Sequence, residues 1–266
     1  MQKINDIEIK NFKSIRQTEI KDCRKVNVFV GPPNVGKSNI LEALSLLTFI
    51  RPKRPVGLEK IVRFKRFSQL FNGSNIKSNI EIIFNAFYSL YLSYADEDDI
   101  DMRLRDHRND SPFSVANYSS IAVGKHSIHF SGPTNGEDDF SGFHSELKDF
   151  NVKPYKFDVG ASFHERYSAI ELQIPNGNNL SEIVIHNKEL FVYFSNLIAK
   201  DNRKLYNDNY ELKFELISDD GIPSLYPLSL LADTLLRLIF FKAAIQNDCN
   251  LLGFTGLPKC RNSKYT

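Results

Sequence analysis

Polar and apolar residues alternate through Ile4-Asn5-Asp6-Ile7-Glu8-Ile9, a period of two that predicts a strand. A second strand is expected near Arg16 to Ile20, with a turn at Lys21 to Arg24. The apolar run Val26-Asn27-Val28-Phe29-Val30 reads as a third strand. The period then changes. Ile40, Leu41, Leu44 and Leu47 recur at helical spacing and predict a helix from Lys37 to about Phe49, ended by Arg51-Pro52 and Arg54-Pro55. Phe64, Phe67, Leu70 and Phe71 give a further helix-like stripe. Ser78 to Tyr94 and Ser119 to Gly132 read as strands. The acidic stretch Ala95 to Pro112 reads as a loop, and Ser131 to Gly142 as turns. Beyond them a strand is expected over Tyr167 to Ile174, a helix over Leu180 to about Lys200, and a strand over Tyr210 to Ser218. A helix over Ser229 to Gln246 and a strand over Asn250 to Phe254 follow.

Between the third strand and the first helix lies Gly31-Pro32-Pro33-Asn34-Val35-Gly36-Lys37-Ser38, which fits the phosphate-binding pattern G-x-x-x-x-G-K-[ST]. Strand, tight loop and helix are the context that pattern needs. A backbone wrapping a phosphate must turn several N–H groups inward, and a Cβ at the glycines would block the approach. The helix start adds unpaired N–H groups and a positive dipole end. Lys37 supplies a point charge for the β- and γ-phosphates, and the Ser38 hydroxyl a ligand for Mg²⁺. Pro32 and Pro33 have no N–H, so the phosphate contacts fall to Asn34, Val35, Gly36, Lys37, Ser38 and Asn39, with Gly31 opening the loop. Asn34 is among the few non-glycine residues that tolerate a left-handed backbone.

The chain has 266 residues, 42% of them apolar and 25% charged, as in ordinary globular proteins. No apolar run reaches 18 residues, so no spanning helix is expected, nor does the N-terminus carry a signal-peptide core. Cys23, Cys249 and Cys260 are odd in number and unpatterned, which points to a reducing, cytoplasmic setting without a zinc site. The net charge of +2 is uneven. Residues 1–70 hold fifteen Lys and Arg against six Asp and Glu, densest between Arg51 and Arg66. A basic face of this kind fits either nucleic acid or the triphosphate itself, with the remaining cations as solvated surface.

Ile9-x-x-Phe12-Lys13-Ser14 ahead of Val30-Gly31-Pro32-x-Asn34-x-Gly36-Lys37-Ser38-Asn39-Ile40-Leu41-Glu42-Ala43 resembles the N-terminal lobe of the SMC/RecF/OLD branch of ABC-type ATPases, over residues 4–48. Pro33 departs from it, standing where the branch usually has Asn. The resemblance implies an α/β fold: one ATP-binding head over residues 1–266, a P-loop NTPase core with a mixed sheet, and an antiparallel β sub-domain at 76–175. No sustained heptads suggest long coiled-coil arms. It makes Lys13 and Ser14 candidates for nucleotide contacts, an ordinary strand-end pair being the alternative. It makes Gln69 a candidate for sensing Mg²⁺ and water, against a surface glutamine. Ser229, or Thr234, becomes a candidate for reaching the γ-phosphate of an opposing subunit, against a plain N-capped helix. The cofactors implied are ATP and Mg²⁺. The partners implied are a second copy paired around nucleotide and DNA, with no membrane.

The resemblance also places an acidic pair after the Asn250 to Phe254 strand. No Asp or Glu follows Asp248 in this sequence, so the fold is expected to be incomplete at its C-terminus and the catalytic residue stays unassigned. The expectation is nucleotide binding with weak or no turnover, in DNA maintenance or defence against foreign DNA. The alternative is a non-catalytic regulatory module acting on a partner protein.

Overall fold

The computed structural model describes residues 4–24, 26–50, 57–95, 97, 99–108, 119–124, 128–131, 152–158, 163, 171–199, 203–217, 221–246 and 251–255. The chain divides into two compact units, Met1–Pro154 with Cys249–Gly253, and Tyr155–Asp248 with Phe254–Thr266.

The first unit is built on seven strands: β1 (Ile7–Phe12), β2 (Ile15–Ile20), β3 (Ile80–Phe84), β4 (Tyr88–Tyr94), β5 (Asp99–Asp106), β6 (Ser119–Gly124) and β7 (Ile128–Ser131). They form one sheet in the order β2-β1-β3-β4-β5-β6-β7, and each pairing in it is antiparallel. Alternation decides its buried face. Ile7, Ile9 and Phe12 of β1, Ile80, Ile82 and Phe84 of β3, Leu90 and Leu92 of β4, and Ile100, Met102 and Leu104 of β5 are all buried. They share one core with Ala43, Leu44, Leu46, Leu47 and Phe49, from helix α1 (Lys37–Ser45) and the 3₁₀ turn Leu46–Ile50 that continues it.

Several expectations are corrected here. Within Ala95 to Pro112 the stretch Asp99–Asp106 is not loop but strand β5. Its acids and arginines occupy the positions between Ile100, Met102 and Leu104, so a charged composition conceals a period of two. The stripe Phe64 to Phe71 is not a helix. Helix α2 (Leu58–Ile61) precedes it, and a 3₁₀ turn at Phe67–Leu70 buries Phe67 and Leu70 before Phe71 bridges Phe12. Val26 to Val30 is not a strand either. It joins no sheet among the described residues, and Val26, Val28 and Val30 are 74%, 74% and 88% exposed. Valine-rich composition favours extended backbone but supplies no partner to pair with.

In the second unit, helices α3 (Leu180–His186) and α4 (Lys188–Ala199) replace the single helix expected over 180–200. The break is at Asn187, whose extended backbone ends α3 while its Oδ1 accepts the N–H of Leu190 at 3.1 Å, capping α4. Strands β9 (Lys204–Asp208), β10 (Glu211–Ile217) and β11 (Pro223–Pro227) form an antiparallel sheet. Helix α5 (Asp233–Ile245) follows. Asn176-Gly177 forms a turn packed on Phe240, and the buried Asn179 ties it together, accepting from Gln173 N at 2.8 Å and donating to the Glu171 carbonyl at 3.0 Å. Residues 171–174 are not a strand, and the earlier part of the expected Tyr167 to Ile174 strand lies outside the described residues. Strand β8 (Val152–Lys156), unforeseen in the sequence, pairs with β12 (Leu251–Thr255), where a strand was expected.

Candidate functional site

The loop Gly31 to Ser38 lies on the surface of the first unit and leads into α1 at Lys37. Two of its residues have left-handed backbone: Asn34 at φ 65° and Gly36 at φ 94°. These reversals let the chain fold back into a concave run of N–H groups before the helix starts. Glycine at 36 is needed twice over. Its φ disfavours a side chain, and a Cβ built there would lie 3.0 Å from Ser14 Oγ. The Lys37 ammonium donates to the carbonyls of Gly31 at 2.6 Å and Pro32 at 2.5 Å, so it lies within its own loop.

Phe12-Lys13-Ser14, where β1 turns into β2, stands beside this loop. Each residue has a separate task. Phe12 is fully buried. Ser14 Oγ accepts a hydrogen bond from Asn39 Nδ2 at 2.7 Å, which brings the turn against the first turn of α1. Lys13, at φ 50°, donates its backbone N–H to the Leu70 carbonyl at 2.8 Å and its ammonium to Glu42 and to the Arg63 carbonyl. Arg63 Nε also reaches Glu42, at 2.5 Å. Ser14 and Asn39 are therefore together at the loop, whereas the Lys13 ammonium rests on Glu42, one helical turn beyond Ser38.

Asn11, one residue before Phe12, holds the approach to this turn. It has φ 58°, donates to the carbonyls of Ser78 at 2.5 Å and Asn79 at 3.3 Å, and accepts from Asn72 N at 3.2 Å. Asn72 in turn donates to the Lys13 carbonyl at 2.6 Å. Gln69 has a local role: its Oε1 accepts the N–H groups of Lys65 at 2.8 Å and Arg66 at 3.3 Å, capping the 3₁₀ turn. Lys60, Arg63, Lys65 and Arg66 are exposed, and the first part of the basic stretch, 51–56, lies outside the described residues. Ser229 is exposed in the 3₁₀ turn Leu228–Leu230, and Thr234 is exposed in the first turn of α5. That helix starts at Asp233 with Ala232 at its N-cap, so Ser229 does not begin it as expected. No cluster of His, Cys, Asp and Glu among the described residues is arranged to hold a metal ion.

A glycine cradle, a lysine inside it and a helix start behind it are what a polyphosphate site requires. The family comparison agrees: residues 2–225 match the AAA ATPase domain model. The chain belongs to the AAA ATPase domain family. Among curated relatives, the DNA replication and repair protein RecF of Lactobacillus johnsonii is 33% identical over 78 residues, covering 29% of this chain and 21% of that protein. RecF of Porphyromonas gingivalis is 37% identical over 70 residues, covering 26% and 19%. An ATP/GTP phosphatase of Helicobacter pylori is 48% identical over 44 residues, covering 16% and 12%. The chain thus spans about a fifth of the length of the RecF relatives it matches. A solved chain from work on ATP-driven dimerization and DNA-stimulated activation of SMC ATPases superposes with a TM-score of 0.25 at 18% identity, covering 47% of this chain and 71% of that one. The resemblance of this AAA ATPase domain to RecF-type P-loop ATPases, first read from Phe12-Lys13-Ser14 and the loop, holds. No helix among its described residues is long and apolar enough to cross a membrane.

Proposed function

We infer that this AAA ATPase domain grips the polyphosphate of ATP together with Mg²⁺. The observation that carries this reading is the loop itself, with left-handed Asn34 and Gly36, Lys37 lying inside the turn, and α1 starting at its end. The N–H groups of Asn34 to Asn39 would hold phosphate oxygens. Lys37 would exchange its two carbonyl partners for them, a stronger charge-assisted bond, and Ser38 would ligate the metal. Mg²⁺ held there would supply charge neutralisation to the phosphates. Ser14, fixed by Asn39, closes the space that a side chain at Gly36 would need.

The stretch after β12 runs Gly256-Leu257-Pro258-Lys259, without a carboxylate to orient water. Nucleotide binding with weak or no turnover is therefore the activity proposed for this chain. DNA maintenance is the role proposed for it, supported by the RecF relatives and by the exposed Lys60, Arg63, Lys65 and Arg66. Pairing of two copies around nucleotide is proposed with it.

Titration calorimetry with ATP and with GTP, with and without Mg²⁺, tests the reading. Saturable heat for ATP that disappears in Lys37→Ala is expected. Absence of heat with either nucleotide, under both metal conditions, would refute it.

A further inference from the structure

Glu42 is a carboxylate on the core side of α1, between Leu41 and Ala43, and its side chain is 6% exposed. A buried carboxylate persists only where its charge is answered. Here two cations answer it: the Lys13 ammonium, on a side chain 12% exposed, and Arg63 Nε at 2.5 Å. Lys13 closes the ring by also donating to the Arg63 carbonyl at 2.5 Å. Three segments distant in sequence thus converge on one side chain: the β1–β2 turn, the phosphate-loop helix and the end of the basic stretch.

We propose that Glu42 is a positioning residue of the phosphate site: by holding Lys13 it seats the Lys13-Ser14 turn, and Ser14 with it, against Gly36. The argument is geometric. Ser14 follows Lys13 directly, and its Oγ lies 3.0 Å from where a Gly36 Cβ would be. It is fixed on one side by Asn39 at 2.7 Å. Along the chain it is held between Ile15, paired with Phe12 in the sheet, and Lys13, whose left-handed φ of 50° is a conformation a lysine keeps when its surroundings impose it. Glu42 and Asn39 lie three positions apart on α1, hence on neighbouring faces, and they grip successive residues of the turn. Lys13 thereby contributes to the phosphate site through Ser14, with its own ammonium committed to Glu42. This rests on the loop being a phosphate site, but the positioning itself can be read without nucleotide.

The test uses the full chain and two measurements. In Glu42→Gln, amide hydrogen exchange should quicken at least about tenfold at residues 13–15 and 34–39, while β4 and β5 keep their protection. ATP affinity should fall by between about 3- and 30-fold, and adding Lys13→Met to Glu42→Gln should lower it no further, as for two residues acting as one unit. Should Glu42→Gln not fold, Glu42→Asp, which keeps the charge but withdraws the carboxylate by one methylene, carries the same two measurements. Loop exchange equal to wild type, or a rise shared by β4 and β5, overturns the proposal. So does a double variant in which the two losses multiply, because Lys13 would then be acting on nucleotide directly. If wild type itself gives no ATP heat, the function reading fails, and the exchange result still decides whether Glu42 positions the loop.

Discussion

Asn39 Nδ2 donates to Ser14 Oγ across 2.7 Å, joining the first turn of the phosphate-loop helix to the turn between β1 and β2. The two residues are 25 apart in sequence, and the bond makes the loop's far wall out of the strand pair rather than out of the loop alone. The same Ser14 oxygen closes the space that a side chain at position 36 would need.

Gly36→Ala follows from that closure. The substitution meets Ser14 Oγ at 3.0 Å and must adopt φ 94°. A left-handed backbone costs an alanine about 1–2 kcal/mol, and the Ser14 contact has to widen as well. A modest loss in thermal stability is expected, with ATP affinity falling at least about tenfold because the N–H groups no longer converge. Calorimetry beside a melting curve separates the two effects.

Asn11→Ala removes one acceptor and the donor that reaches Ser78 and Asn79. It also places an alanine at φ 58°. A loss of about 1–3 kcal/mol is expected from unmade hydrogen bonds in this part of the first unit. Asn11→Gly should recover the backbone component only. Urea unfolding of the two variants side by side measures the difference.

Gly177→Ala tests the second unit by itself. A Cβ there would come within 2.6 Å of Phe240 Cε2, on a residue at φ 63°. Phe240 is an edge-on neighbour of both Tyr155, at 5.8 Å, and Phe157, at 5.4 Å, so it cannot withdraw without disturbing that cluster. Overpacking of this kind typically costs about 1–3 kcal/mol. Near-ultraviolet circular dichroism and the unfolding midpoint should both report it.

Lys65→Glu with Arg66→Glu tests the basic surface. Both residues are exposed and neither holds Glu42. If each meets one phosphate of duplex DNA, the slope of log affinity against log salt should become shallower by about 0.9 per contact. ATP binding should be unchanged. A salt slope identical to wild type removes this surface from the DNA-binding reading.

The loop was legible in the sequence because its chemistry demands specific residue types at fixed spacing, and the helix after it because Leu44 and Leu47 keep the helical period. Other parts were hidden for physical reasons. β5 was masked by Asp99, Asp101, Arg103 and Arg105, which are the solvent-side residues of an amphipathic strand rather than the marks of a loop. Val26, Val28 and Val30 gave the opposite error: strand-favouring side chains in a segment that pairs with nothing described. Glu42 was invisible because an acid in an amphipathic helix ordinarily faces water. Only the meeting of Lys13 and Arg63, fifty residues apart, shows why it is inside. Gln69 had two readings from sequence, and its bonds to the backbone of Lys65 and Arg66 give it a local capping task.

The order of the seven-stranded sheet bears on how this unit is made. From β3 to β7 every strand lies beside its successor in the chain, as β1 lies beside β2. Neighbours of this sort need little loop-closure entropy and can pair as soon as they leave the ribosome. The β1–β3 seam alone joins distant segments of that sheet, and the phosphate loop with its helix is threaded between them. Closing that seam is therefore the pairing of longest sequence separation in the sheet, and it closes the chain segment that carries the nucleotide cradle.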